Sequence, residues 1–154
     1  MSDTPKIDTQ QAHRYFSVHC FNSAWKLIDK PNRSEEDQTQ MVLRAMSSLW
    51  HWTQRPDCSD QTLSIGYWQV ARVLTLAGYG PMAMDMAQEC LSYSVTEGPF
   101  YEAYANEAIA RAASILGDEA TFEKHTASAK KLADKVEDPE ERKQLLDDLK
   151  TLSM

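Results

Sequence analysis

Two arginines stand in equivalent places of a repeated segment. Val70–Gly78 reads VARVLTLAG and Ile109–Gly117 reads IARAASILG, so Ala71, Arg72 and Gly78 return as Ala110, Arg111 and Gly117 after 39 residues. A guanidinium engages a carboxylate bidentately, so a repeated arginine suits an acidic peptide or a free C-terminus. Glu107 precedes Arg111 by four residues, the spacing and order in which the two side chains attract each other on one helix. The histidines form no comparable pattern. His13, His19, His51 and His125 are scattered, none four residues from another His or from a Cys, and no H-E-x-x-H occurs. No catalytic residue, metal or cofactor is therefore expected. The alternative is a helical-bundle enzyme or metal-binding protein that uses His51 with cavity acids such as Glu107. Cys20, Cys58 and Cys90 are odd in number and outside any C-x-x-C, as suits reduced thiols.

A fixed-period echo inside helical sequence marks a repeat architecture, in which each unit buries its apolar face on the next. The apolar spacing and the turn residues predict an all-α fold of about seven helices with no strand. Three antiparallel hairpins are expected at about 8–55, 60–97 and 99–137, followed by a cover helix at 139–152. Thr4-Pro5 is read as the start of the first helix, with its body from about Asp8 to Asp29. Phe16, Cys20, Ala24 and Leu27 form its core side. Ser34 with Asp37 resembles a capping box and opens the second helix, whose Leu43 and Trp50 lie opposite its core stripe. Self-association through that side, giving a homodimer, is compatible with a binding role. Ser59 or Asp60 caps the third helix, and Gly80-Pro81 and Gly98-Pro99 open the next two. The fifth helix is expected to bury Tyr101, Tyr104, Ala105, Ala108, Ala112, Ile115 and Leu116. His125 reads as a satisfied core histidine on the sixth helix. Asp138-Pro139 starts the last.

One domain is the natural reading of 154 residues. The formal charge of −7 comes entirely from residues 79–154, since the acids and bases of residues 1–78 cancel. An acidic half without a basic stripe repels phosphate backbones, which argues against nucleic acid. No apolar run approaches a membrane span and the N-terminus has no secretory pattern, so a cytoplasmic location is expected.

The hairpins resemble tetratricopeptide-like repeats. Ala71, Gly78, Ala83 and Ala87 match that family's small-residue register over residues 64–97, and Ala110, Gly117, Asp118 and Ala129 follow it more loosely over residues 103–136. The spacing is 39 rather than the family's 34, and Phe122 stands where an alanine is usual. The architecture is also similar to bacterial proteins of this length built from such hairpins. The resemblance implies a right-handed stack closed by a solvating helix and a concave groove lined by the first helix of each hairpin. Carried over, the groove takes Trp68 and Arg72 from one unit, Tyr104, Glu107 and Arg111 from the next, and Asn22 and Trp25 from the first helix. It implies a non-enzymatic interaction module for a peptide or small acidic ligand. A purely structural reading stands beside it: Glu107 pairs with Arg111, Arg72 meets Asp29 or Glu107, and Trp25 and Trp68 are inter-repeat core.

Overall fold

The structure, a computed structural model, describes residues 4–154. Among them are seven α-helices and no strand, as the sequence predicts. They divide into two compact units, Met1–Cys58 and Ser59–Met154. No helix of the described residues is long and apolar enough to cross a membrane.

Met1–Cys58 is one antiparallel hairpin of α1 (Thr9–Ile28) and α2 (Glu35–Thr53). The first helix begins at Asp8 and not at Thr4-Pro5. The Asp8 carboxylate accepts from Gln11 N at 3.1 Å, and aspartate is a stronger N-cap than threonine. The turn uses Asn32 at φ 56°, a left-handed conformation that asparagine tolerates. The capping box forms as read: Ser34 Oγ accepts from Asp37 N, and the Asp37 carboxylate accepts from Ser34 N. Lys30 closes on the same carboxylate at 2.6 Å. That bond, with the Ser34 N–H, lowers the Asp37 carboxyl to about 2. The buried seam runs through Ser17, Ala24, Met41, Ala45 and Ser48. Phe16 lies at the edge of this seam and not in it, 42% exposed. Leu43 and Trp50 face outward at 53% and 55% exposure, as their position opposite the stripe predicts.

Ser59–Met154 holds α3 (Asp60–Leu76), α4 (Gly80–Ser94), α5 (Pro99–Leu116), α6 (Glu119–Ala133) and α7 (Pro139–Leu149). Two hairpins, α3–α4 and α5–α6, meet through α5, which packs on both α3 and α4, while α7 rests on α5 and α6. The repeated glycines explain part of the echo. Gly78 (φ 87°) lets Tyr79 N reach back to Leu74 O at 2.9 Å, and Gly117 (φ 72°) lets Asp118 N reach Ala113 O at 3.0 Å. Both are the six-to-one bond that closes a helix with a left-handed residue, where a side chain would be strained. The repeated alanines, Ala71 and Ala110, are buried, as are Ala103, Ala105, Ala108, Ala112 and Ala113. Small residues on nearly every side let α5 serve as the axis of this unit. Ile115 and Leu116, expected in its core, are instead 44% and 43% exposed. They occupy the last turn of α5, where the glycine start of α4 is the near neighbour. A Cβ at Gly80 would stand 2.7 Å from Leu116 Cδ2.

Candidate functional site

Glu107 is the node of the candidate site. It lies mid-way along α5, 0% exposed. A carboxylate so dry must be met by donors, and three reach it. Trp68 Nε1 donates to Oε2 at 3.0 Å, Arg72 Nη1 donates to Oε1 at 3.2 Å, and Arg111 Nε donates to Oε1. Trp68 and Arg72 come from one face of α3, four residues apart, and Arg111 lies one turn beyond Glu107 on α5. The arginine side chains keep only 21% (Arg72) and 14% (Arg111) of their surface exposed. Burial, and then the like charge of Arg111, pull the Arg72 guanidinium below its ordinary value. The nearby Glu107 and Asp148 charges oppose that shift.

A second carboxylate completes the group from the C-terminal side. Asp148 on α7 accepts from Tyr104 Oη at 2.5 Å through Oδ2. Its main-chain oxygen accepts from Arg111 Nη2 at 3.0 Å, and the same nitrogen donates to Thr151 Oγ1 at 2.6 Å. Tyr104 packs edge-on against Trp68 (ring centroids 5.4 Å apart, 77° between planes) and against Phe100 at 5.1 Å. Burial raises the Tyr104 phenol well above its ordinary value, and its bond to Asp148 adds to the shift, so it acts as a neutral donor. Two guanidiniums thus face two carboxylates, one of which belongs to α7.

Five of the seven residues assigned to the groove, Trp68, Arg72, Tyr104, Glu107 and Arg111, therefore meet in one network. Glu107, one of the two acids expected to meet it, is a partner of Arg72. Asn22 and Trp25 belong to the Met1–Cys58 unit, on α1. Asn22 is exposed there, and half-buried Trp25 lies 6.4 Å from Phe21, ring to ring. Asp148 and Thr151 escape sequence reasoning because they sit among the lysines and acids of the last helix, which look like a solvated face. A signal is nonetheless present for Asp148: it lies at i+3 of the Leu145, Leu149 and Leu152 stripe, the helical spacing of one face. The repeated Arg72–Arg111 interval, by contrast, is legible because α3 and α5 are equivalent helices of successive hairpins.

The histidines sit elsewhere. His13 Nδ1 and His51 Nδ1 are 2.8 Å apart across α1 and α2, one ring donating and the other accepting. Phe16 and Trp50 flank His51 at 5.4 and 4.9 Å. Burial, and secondarily the His13 charge, push the His51 imidazole below 6.5. His125 is satisfied as expected, its Nδ1–H donating to Asn106 Oδ1 at 2.8 Å, but it is half-buried and not in the core. Burial raises the Cys90 thiol to about 12, and its Sγ donates to Ser64 O at 3.2 Å, so it is no nucleophile. Among the described residues, no three His, Cys, Asp or Glu side chains are grouped to hold a metal ion. No family model, curated protein or solved structure matches the chain.

Proposed function

We propose that the chain is a non-enzymatic interaction module whose α3–α5 ledge receives an acid-bearing peptide. The observation that carries this reading is an imbalance of charge. Within α3 and α5 two guanidiniums, Arg72 and Arg111, share the single carboxylate of Glu107. The ledge alone therefore holds one surplus positive charge beside a neutral hydroxyl donor, Tyr104. In a site this dry a cation without a counter-charge is costly, so the ledge favours a ligand that brings a carboxylate. Rigid aromatics, Trp68 and Tyr104, supply contact area beside it. The ledge is built from the Ser59–Met154 unit alone.

The test is fluorescence anisotropy with matched sets of labelled helical peptides, acidic, neutral and basic, titrated into the full chain. The acidic set should bind, more weakly as salt rises, and binding should vanish in Arg72→Gln/Arg111→Gln checked by circular dichroism for retained helicity. Equal binding of all three sets, or binding untouched by the double substitution, would overturn the reading.

A further inference from the structure

The ledge already holds a helix, and that helix is the chain's own. Leu145 and Leu149 of α7 are buried with Ala103, Tyr104, Ala129, Ala133 and Val136, and Trp68, Phe100, Leu132 and Leu152 pack around them. Asp148 lies between the two leucines in sequence and brings the carboxylate that the ledge lacks, bonded to Tyr104 Oη. Arg111 grips the end of the same helix through Asp148 O and Thr151 Oγ1. Leucines at 145, 149 and 152 with an aspartate at 148 are thus a complete recognition pattern: an apolar seam with one acid beside it.

From this we infer that α7 is an internal stand-in for a partner helix, and that the ledge exchanges it for a partner segment of the same chemistry. That segment is an amphipathic helix with leucines at i, i+4 and i+7 and an acid at i+3. The inference rests on the ledge being a receptor for acidic peptides, and it names which acidic peptide fits.

Three features make α7 suited to leave. It has 11 residues, of which only Leu145 and Leu149 are buried. A helix that short is marginal on its own, so its order depends on docking. Its ion pairs, Lys143–Asp147 and Lys150–Asp147, lie within the helix itself and on its exposed side, so they survive undocking and contribute nothing to holding it. The residues that fix it to α5 include the two leucines, Asp148 and Thr151, and Gln144 also bonds the Tyr104 hydroxyl. Those are the features a partner helix can copy. While α7 is docked, a competing helix sees only the fraction of molecules with an open ledge. Its apparent affinity is reduced by that fraction.

The experiment uses a labelled synthetic peptide of residues 137–154 and the full-length chain in three forms: wild type, Leu145→Ala/Leu149→Ala, and Asp148→Ala/Thr151→Ala. The first variant loosens the apolar seam, and the second removes the two side-chain acceptors, Asp148 Oδ2 and Thr151 Oγ1, while keeping the leucine packing. Both should bind the peptide at least about tenfold more tightly than wild type. A peptide carrying the equivalent of Asp148→Ala should bind more weakly to all three. Adding Arg111→Gln to the second variant should abolish the gain. If the leucine variant loses helicity, the anchor variant alone decides. Equal Kd for wild type and the anchor variant would overturn the inference. So would a loosened chain that pairs with a second copy and excludes the peptide, detected by light scattering. If the acidic peptide sets bind through Arg72 and Arg111 while the 137–154 peptide does not, the exchange fails and the receptor reading stands. If neither binds, both fail.

Discussion

In the Met1–Cys58 hairpin the buried bond between the two helices is neutral, while charged groups act at its ends, where Arg55 Nη1 donates to Ser17 Oγ at 3.0 Å and Lys30 pairs with Asp37. Ser48 Oγ donates to Ser17 O at 2.7 Å, and His13 and His51 share one proton between two Nδ1 atoms. In Ser59–Met154 the contacts at the same kind of seam are ionic, with Glu107 held between Arg72 and Arg111. Ser48 and Glu107 are equally dry, at 1% and 0% exposure. Burial alone therefore does not decide what a polar seam costs or contributes. A hydroxyl that finds one carbonyl is satisfied. A buried carboxylate demands several donors and a counter-charge, which binds three helices together and makes each member depend on the rest.

The contrast is broken most directly at its charged end. Glu107→Ala leaves two guanidiniums in a dry site with no α5 carboxylate, and removing one partner of a buried ion pair costs about 3–5 kcal/mol. Urea unfolding followed by circular dichroism should record a loss of that size. Replacing all three charges with apolar residues of similar volume, Arg72→Met/Glu107→Leu/Arg111→Met, should recover most of it, because the desolvation penalty disappears along with the attraction. A loss below about 1 kcal/mol for Glu107→Ala would place this network with ordinary surface pairs and remove the contrast.

These two seams also differ in how far they could be read from the sequence. Helix starts were legible wherever a cap and the N–H it accepts from lie within one turn, as at Ser34–Asp37, Asp118 and Asp138. The exception, Thr4-Pro5, gives way to Asp8 because two adjacent start signals compete and the stronger cap wins. The 39-residue echo made Arg72 and Arg111 equivalent, and the i, i+4 spacing linked Glu107 to Arg111. Asp148 is easy to pass over, since an acid among lysines on a short helix is normally solvated, yet its place three residues after Leu145 puts it on the leucine face. The core phase of α5 was misplaced at its end. Periodicity gives the face a residue occupies, but it does not report that Ile115 and Leu116 sit in a last turn with few neighbours.

The neutral seam gives a smaller effect. Ser48→Ala removes one buried hydroxyl donor and leaves Ser17 O within its helix, so the expected loss is about 1 kcal/mol, the net worth of an ordinary hydrogen bond. The same urea experiment measures it. A loss equal to that of Glu107→Ala would show that dryness, and not charge, sets the scale.

Smallest of all is the effect of acid on the imidazole pair, because its surroundings are half-open and water screens them. His51 is held below 6.5 by burial and by the His13 charge. The unfolded chain therefore takes up a proton that the folded chain resists. Stability is full above 6.5 and falls as the pH drops below it. A second proton on the pair would also replace the shared bond of 2.8 Å with two donors facing each other. His125, held down by burial and by Lys124, gives Ser59–Met154 a limb in the same window. Single variants in each unit separate the two contributions. Asp37 does not interfere, since its stabilising effect is lost only below its ordinary value of 3.8. Urea midpoints at pH 7.5 and 5.5 should therefore lie closer together in His51→Gln than in wild type, and again in His125→Gln. Parallel shifts in wild type and His51→Gln would mean that the 2.8 Å contact does not constrain the proton, and that the seam rests on the Ser17–Ser48 bond, the Arg55–Ser17 bond and the apolar neighbours.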